Sequence, residues 1–144
     1  MQAIIFIGIQ ASGKSTFYKQ CFFNTHVRIS LDLLRTRHRE ALFLQTCYKS
    51  LMRFVIDNTN PTIIKRQEYI KEAKQHKYRV TGYFFDTSLE EALQRNLNRR
   101  GKELISEKGI KATMKKLVIP RIEEGFDELY RVTIDKVGFR VEKM

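Results

Sequence analysis

Short apolar runs alternate along this chain with longer stretches whose apolar residues recur at helical spacing. Ala3–Ile9 is apolar throughout, as a strand covered on both faces of a parallel sheet must be. A helix is predicted from about Ser15 to Phe23, followed by a short strand over Val27–Ile29. Ser30 can cap a long helix reaching about Met52, and Arg53–Asp57 reads as the third strand. Asn60-Pro61 places a polar cap and a first-turn proline ahead of a helix to about His76. Arg79–Phe85 is a fourth strand, and Ser88-Leu89-Glu90-Glu91 is a capping box opening a helix to about Arg100. Gly101–Gly109 reads as a charged loop ahead of a helix through about Ile119, which with the preceding helix end marks a helical lid over roughly 95–119. Glu123–Leu129 is a short turn or helix, Tyr130–Ile134 a fifth strand, and Phe139–Val141 a further edge strand. Strands alternating with helices predict βαβ units, and so a three-layer α/β domain on a mainly parallel sheet.

Composition changes this picture little. The 144 residues suffice for one domain with one core, and no repeat, low-complexity tract or Pro/Ser-rich linker marks a boundary. The formal charge of +11 favours a polyanionic partner, nucleic acid above all, against the plainer reading of a generally basic surface. Cys21 and Cys47 are too few for a disulfide framework, and with His26, His38 and His76 they make no metal-ligand spacing. They read as reduced thiols of a cytoplasmic core. The Ala3–Ile9 run is too short to cross a membrane and has no basic flank, so the expected compartment is the cytoplasm.

Candidate chemistry begins at the end of the first strand. Gly8, Gly13, Lys14 and Ser15 stand at the spacing G-x-x-x-x-G-K-[ST], between a predicted strand and a predicted helix. The backbone N–H groups of Gln10, Ala11, Ser12 and Gly13 can curl inward around a β-phosphate at the positive end of the helix. Lys14 then reaches the β- and γ-phosphates, and the Ser15 hydroxyl ligates Mg²⁺, with ATP the expected nucleotide. Thr16 either touches the α-phosphate or is an ordinary first-turn residue. No N-K-x-D element follows: Thr133-Ile134-Asp135-Lys136 has the wrong order, which argues against a GTPase. Asp57 is followed by Asn58 and not by a second acid, which argues against a translocating ATPase. A small phosphotransferase remains, whose work is positioning and charge neutralisation.

Such an enzyme needs a carboxylate beside the acceptor hydroxyl, cations over the moving phosphoryl group, and a lid. Asp32 sits just past the second strand, at the mouth where open α/β sheets bind ligands. It is either a proton acceptor or simple helix N-terminal charge complementarity. Arg35, three residues on, shares its helix face and either grips an anion beside the acceptor or pairs with Asp32. The run Arg95-Asn96-Leu97-Asn98-Arg99-Arg100-Gly101-Lys102 is either an arginine lid or a solvated face.

The stretch Phe54-Val55-Ile56-Asp57-Asn58-Thr59-Asn60-Pro61 closely resembles the element after the third strand in the kinase domain of polynucleotide 5′-hydroxyl kinases, phage and animal alike. The other landmarks agree in order: the phosphate loop, Asp32 to Arg35, the D-N-T-N-P element and an Arg-Gly lid. The resemblance covers about residues 3 to 135, and it implies a P-loop kinase fold with a five-stranded sheet in the order 2-3-1-4-5. It further implies Asp32 as general base, Arg35 gripping the neighbouring acceptor phosphate, and Asp57 holding a water on the metal. Asn58, Thr59 and Asn60 would shape the acceptor pocket. Arg100 would be the lid arginine, with Arg99 or Arg95 as a second contact. The implied reaction is transfer of the ATP γ-phosphate to a 5′-hydroxyl of RNA or DNA. The same core also serves small-molecule kinases, so an antibiotic, sugar or nucleotide acceptor stays open, as does an ATP-binding nucleic-acid binder without transfer. No D-x-D-G-[TS] phosphatase signature is present.

Overall fold

A computed structural model describes residues 1–101 and 104–144. In chain order its elements are β1 (Gln2–Ile7), α1 (Lys14–Cys21), β2 (Val27–Ile29), α2 (Leu31–Leu34), α3 (Arg37–Ser50), β3 (Phe54–Ile56) and α4 (Ile63–Gln75). They continue with β4 (Arg79–Phe85), α5 (Leu89–Leu97), α6 (Glu107–Lys116), a 3₁₀ turn at Ile122–Glu124, β5 (Glu128–Ile134) and β6 (Phe139–Lys143). The sheet runs β2-β3-β1-β4-β5-β6. The expected order of five parallel strands is present, and β6 extends it antiparallel to β5, from Tyr130 opposite Lys143 to Ile134 opposite Phe139.

The period of two along β1 sorts its side chains between the layers. Ala3, Ile5 and Ile7 join the core under α3 and α4, with Leu44, Tyr48, Tyr69 and Ile70. Ile4 and Phe6 join a second core with Phe17 and Tyr18 of α1. Ile4 to Ile7 are all 0% exposed, each burial stabilising by roughly 1.5–3 kcal/mol. A third cluster, Ile9 and Ala11 with Ala92 and Ile110, seats α5 and α6 on the loop after β1. The central strand thus anchors that loop from three sides.

The departures from expectation have local causes. The single helix expected from Ser30 to Met52 is broken into α2 and α3, because Arg35 takes φ 76°, a value a right-handed helix excludes. Thr36 restarts the helix, its side chain accepting from the Arg39 N–H at 3.1 Å. Asn60-Pro61 does not open α4; Thr62 is the cap, accepting from the Lys65 N–H. Asn60 lies instead in the left-handed region, φ 47°. α5 stops at Leu97, short of Arg100, and α6 begins within the expected charged loop, where Ser106 accepts from the Gly109 N–H. α6 also ends before Ile119, since Val118 leaves it to donate to the Pro61 carbonyl at 2.9 Å. Lys102 of the lid run lies outside the described residues. Cys47 is buried as expected, whereas Cys21 is exposed and not in the core. Among the described residues no helix is long and apolar enough to cross a membrane.

Candidate active site

The loop between β1 and α1 wraps a concavity at the carboxyl ends of the strands. Gly8 is required by close packing: a Cβ there would meet the Phe85 Cβ at 2.9 Å and the Ser12 Oγ at 3.1 Å. Gly13, with φ 91°, supplies the left-handed turn into α1. Ala11 also holds a positive φ, 60°, and pays for it by burial in the lid cluster. Three bonds pin the loop from outside. The Gly8 N–H donates to the Thr59 carbonyl at 2.9 Å, Gln10 Nε2 to Thr113 Oγ1 at 3.0 Å, and Arg95 to the Ala11 carbonyl at 3.4 Å.

Lys14 folds back over this loop, its amine donating to the Ile9 carbonyl at 2.7 Å and the Gly8 carbonyl at 3.1 Å. Burial pushes its ammonium down to about 8, and Arg99 adds to the depression; Asp57 and Asp32 pull the other way. An amine so placed gains most from a neighbouring polyanion.

Ser15 of α1, Asp57 just past β3 and Arg28 of β2 form a compact triad. The Ser15 hydroxyl donates to Asp57 Oδ2 at 3.2 Å. Arg28 Nε donates to the same Oδ2 at 2.8 Å, and Arg28 Nη2 to Ser15 Oγ at 3.0 Å. The Asp57 side chain is 2% exposed, so its carboxylate depends on this cation. A hydroxyl and a carboxylate oxygen are the donor set of a hard divalent cation, and here they already hold a positive group between them.

Asp32 and Arg35 belong to α2 and its end, and both are exposed. The four-residue helix offers little dipole, so the position of Asp32 is owed to what holds α2 in place. Asn58 does so: its Oδ1 accepts from the Leu31 N–H at 2.9 Å, and its Nδ2 donates to Glu40 Oε2 at 3.0 Å. Glu40, 3% exposed, also accepts from the Tyr69 hydroxyl at 2.7 Å and from Arg37 at 3.2 Å. Burial, with the Glu40 carboxylate beside it adding to the effect, pushes the Tyr69 phenol well above its usual range.

A cavity of about 260 Å³ brings the loop residues Gln10, Ala11, Ser12, Lys14 and Ser15 together with Asp32, Asp57, Asn58, Thr59 and Arg99. A groove of about 550 Å³ continues from it past Thr16, Lys19, Arg28 and Arg35. Two expected residues lie elsewhere. Asn60 is 2% exposed and donates to the Phe6 carbonyl at 2.7 Å, so it ties the loop to β1 and does not shape an acceptor pocket. Arg100 is exposed and lines neither space, whereas Arg99, one residue earlier, lines both. Sequence reasoning missed Arg28 and Glu40. Arg28 carries no signal in a three-residue strand; Glu40 had only its spacing of three from Arg37.

A family profile described as an AAA domain matches residues 4–118. A protein of Acanthamoeba polyphaga mimivirus that carries the name bifunctional polynucleotide phosphatase/kinase is 32% identical over 92% of this chain. The bifunctional polynucleotide phosphatase/kinase of Schizosaccharomyces pombe is 27% identical over 91% of it. This chain covers 33% of each of these relatives. Kti12 of Chaetomium thermophilum, solved in complex with ADP-AlF3, superposes with a TM-score of 0.69 at 18% identity, over 94% of this chain and 92% of that one, which shows the shared fold.

Proposed function

The chain belongs to the AAA domain family matched over residues 4–118 and has the P-loop kinase fold, and on that premise we propose that it is an ATP- and Mg²⁺-dependent polynucleotide 5′-hydroxyl kinase. The observation that carries this reading is the shared cavity: Asp32 lines the same space as the phosphate loop, Lys14 and Ser15. A protein that only binds or senses a nucleotide has no need of a carboxylate there. The two relatives named for polynucleotide kinase activity support the acceptor class, as does the charge of +11.

In this reading the N–H groups of Gln10 to Gly13 and the Lys14 ammonium hold the triphosphate. The Ser15 hydroxyl, with Asp57 acting through a water, would hold Mg²⁺, and the oxygen pair bridged by Arg28 fits that cation. Mg²⁺, when bound, offsets negative charge on the β- and γ-phosphate oxygens. Asp32 accepts the proton of the 5′-hydroxyl as its oxygen bonds to the γ-phosphorus and the bond to the β–γ bridging oxygen breaks, releasing ADP. Arg35 grips the acceptor phosphate beside that hydroxyl, Thr59 and Asn58 wall the pocket, and Arg99 covers the moving phosphoryl group.

The test presents γ-labelled ATP and Mg²⁺ with a 5′-hydroxyl oligonucleotide, its 5′-phosphorylated counterpart, and a panel of nucleosides and sugars. Label is expected on the 5′-hydroxyl oligonucleotide alone. Transfer confined to a small acceptor would replace this reading with a small-molecule kinase. Binding of both ATP and oligonucleotide without product would make it a nucleic-acid binder.

A further inference from the structure

The 550 Å³ groove is larger than one acceptor phosphate requires, and its lining is lopsided in charge. Lys19, Arg28, Arg35 and Arg99 line it against one carboxylate, Asp32. Arg35 at the end of α2 and Arg99 beside the lid account for the acceptor and donor phosphates of the proposed reaction. Arg28 is turned toward Asp57 and Ser15. Lys19 is left without a role. It stands on α1 four residues after Ser15, which puts it on the same helix face and roughly 6 Å farther along the axis. It is exposed, and Thr16 on the same rim offers a hydroxyl three residues earlier.

We propose that this groove is the path of the acceptor strand beyond its first phosphate, with Lys19 holding the second backbone phosphate 3′ of the reacting hydroxyl. The inference rests on the kinase reading above and refines its substrate. An acceptor with two phosphates engages both Arg35 and Lys19, whereas a nucleoside 3′-monophosphate reaches Arg35 alone. The contact is electrostatic and blind to sequence, as backbone contacts are.

Steady-state kinetics at saturating ATP on 5′-hydroxyl acceptors carrying one, two and three phosphates test this. In the unmodified protein KM is expected to fall about tenfold or more between one phosphate and two, the worth of a charge-assisted contact. Lys19→Gln should bring the two-phosphate KM up to the one-phosphate value, and should flatten the dependence of log KM on log salt by about one phosphate contact. Lys19→Arg should restore the dependence on length. A KM independent of length in the unmodified protein overturns the subsite while leaving the kinase reading intact. So does a Lys19→Gln effect confined to the KM for ATP, read in a parallel titration of ATP at saturating acceptor, which would assign the cation to the donor. Absence of transfer to every 5′-hydroxyl acceptor overturns the kinase reading itself, and the subsite with it.

Discussion

Removing the Glu124 carboxylate should unfold this protein far more readily than the loss of a surface charge would. Arg66, on α4, is 0% exposed, and Glu124 is 6% exposed in its side chain. Their contact is two-pronged: Arg66 Nε donates to Oε1 at 2.7 Å and Nη2 to Oε2 at 3.0 Å. Arg66 Nη1 donates to the carbonyls of Asn60 and Pro61, both at 3.0 Å. The guanidinium thus clamps the chain that leaves the D-N-T-N-P element onto the 3₁₀ turn. Glu124→Ala leaves this cation buried with two neutral partners, a loss of about 3–5 kcal/mol. Against a total stability of roughly 5–15 kcal/mol, that should lower the melting temperature by about 10–20 °C. The double variant Arg66→Met/Glu124→Leu removes both charges and fills the space, so it should be more stable than either single variant. Urea titrations followed by circular dichroism on the unmodified protein, Arg66→Met, Glu124→Leu and the double variant close the cycle, with Glu124→Ala measured beside them. A Glu124→Ala cost under about 1 kcal/mol, or a double variant that simply sums the two single losses, would refute the assignment of this pair as a buried clamp.

Three more outcomes follow from the site. A bound triphosphate favours the ammonium form of Lys14 and so raises its pKa from about 8. ATP affinity should therefore be flat below about pH 7 and fall above 8 as binding takes up a proton, by at most tenfold per pH unit; calorimetry in two buffers reads the proton uptake, and Lys14→Arg should lose the slope. Arg28→Gln removes the cation that competes for Ser15 and Asp57, so Mn²⁺ binding measured by electron paramagnetic resonance should tighten about fivefold, scaled to a partly exposed ion pair. Weaker binding instead would mean that Arg28 organises these oxygens. Asn58→Ala takes the bridge from between Glu40 and the Leu31 N–H, worth roughly 1.5–3 kcal/mol. It should slow transfer about tenfold or more in single-turnover assays while ATP affinity holds.

The fold was largely legible because its central strands are short and mostly apolar. Ala3–Ile9, Arg53–Asp57 and Arg79–Phe85 each locate a buried parallel strand to within two residues at either end. The phosphate loop was legible because glycine, lysine and serine at that spacing answer a backbone requirement that few other patterns meet. The break between α2 and α3 was not, because Arg35 takes a positive φ that no residue type announces. It matters for function, since the break sets Arg35 at a helix end over the groove. Asn60-Pro61 misled for a related reason: the pair has the composition of a helix start, yet the Asn60 side chain goes to the Phe6 carbonyl, a contact 54 residues away in sequence. Arg28 and Glu40 are likewise set by long-range pairing, with Asp57 and Tyr69 respectively, and local pattern carries only the spacing of three between Arg37 and Glu40. Which of two adjacent arginines faces the cavity was not legible either, because Arg99 and Arg100 are equivalent until the end of α5 is known.

The measurement that bears most directly on the proposed kinase site compares Asp32→Ala and Asp32→Asn with the unmodified protein, reading ATP affinity by calorimetry and transfer to a 5′-hydroxyl oligonucleotide by single-turnover kinetics. Asp32 lines both the 260 Å³ cavity and the 550 Å³ groove but belongs to α2, apart from the phosphate loop. The expected result is ATP affinity within about twofold and transfer slowed by about 10²-fold or more, the usual weight of a positioned base. Transfer retained within tenfold, or ATP affinity lost in step with it, would contradict the assignment of Asp32 to the acceptor.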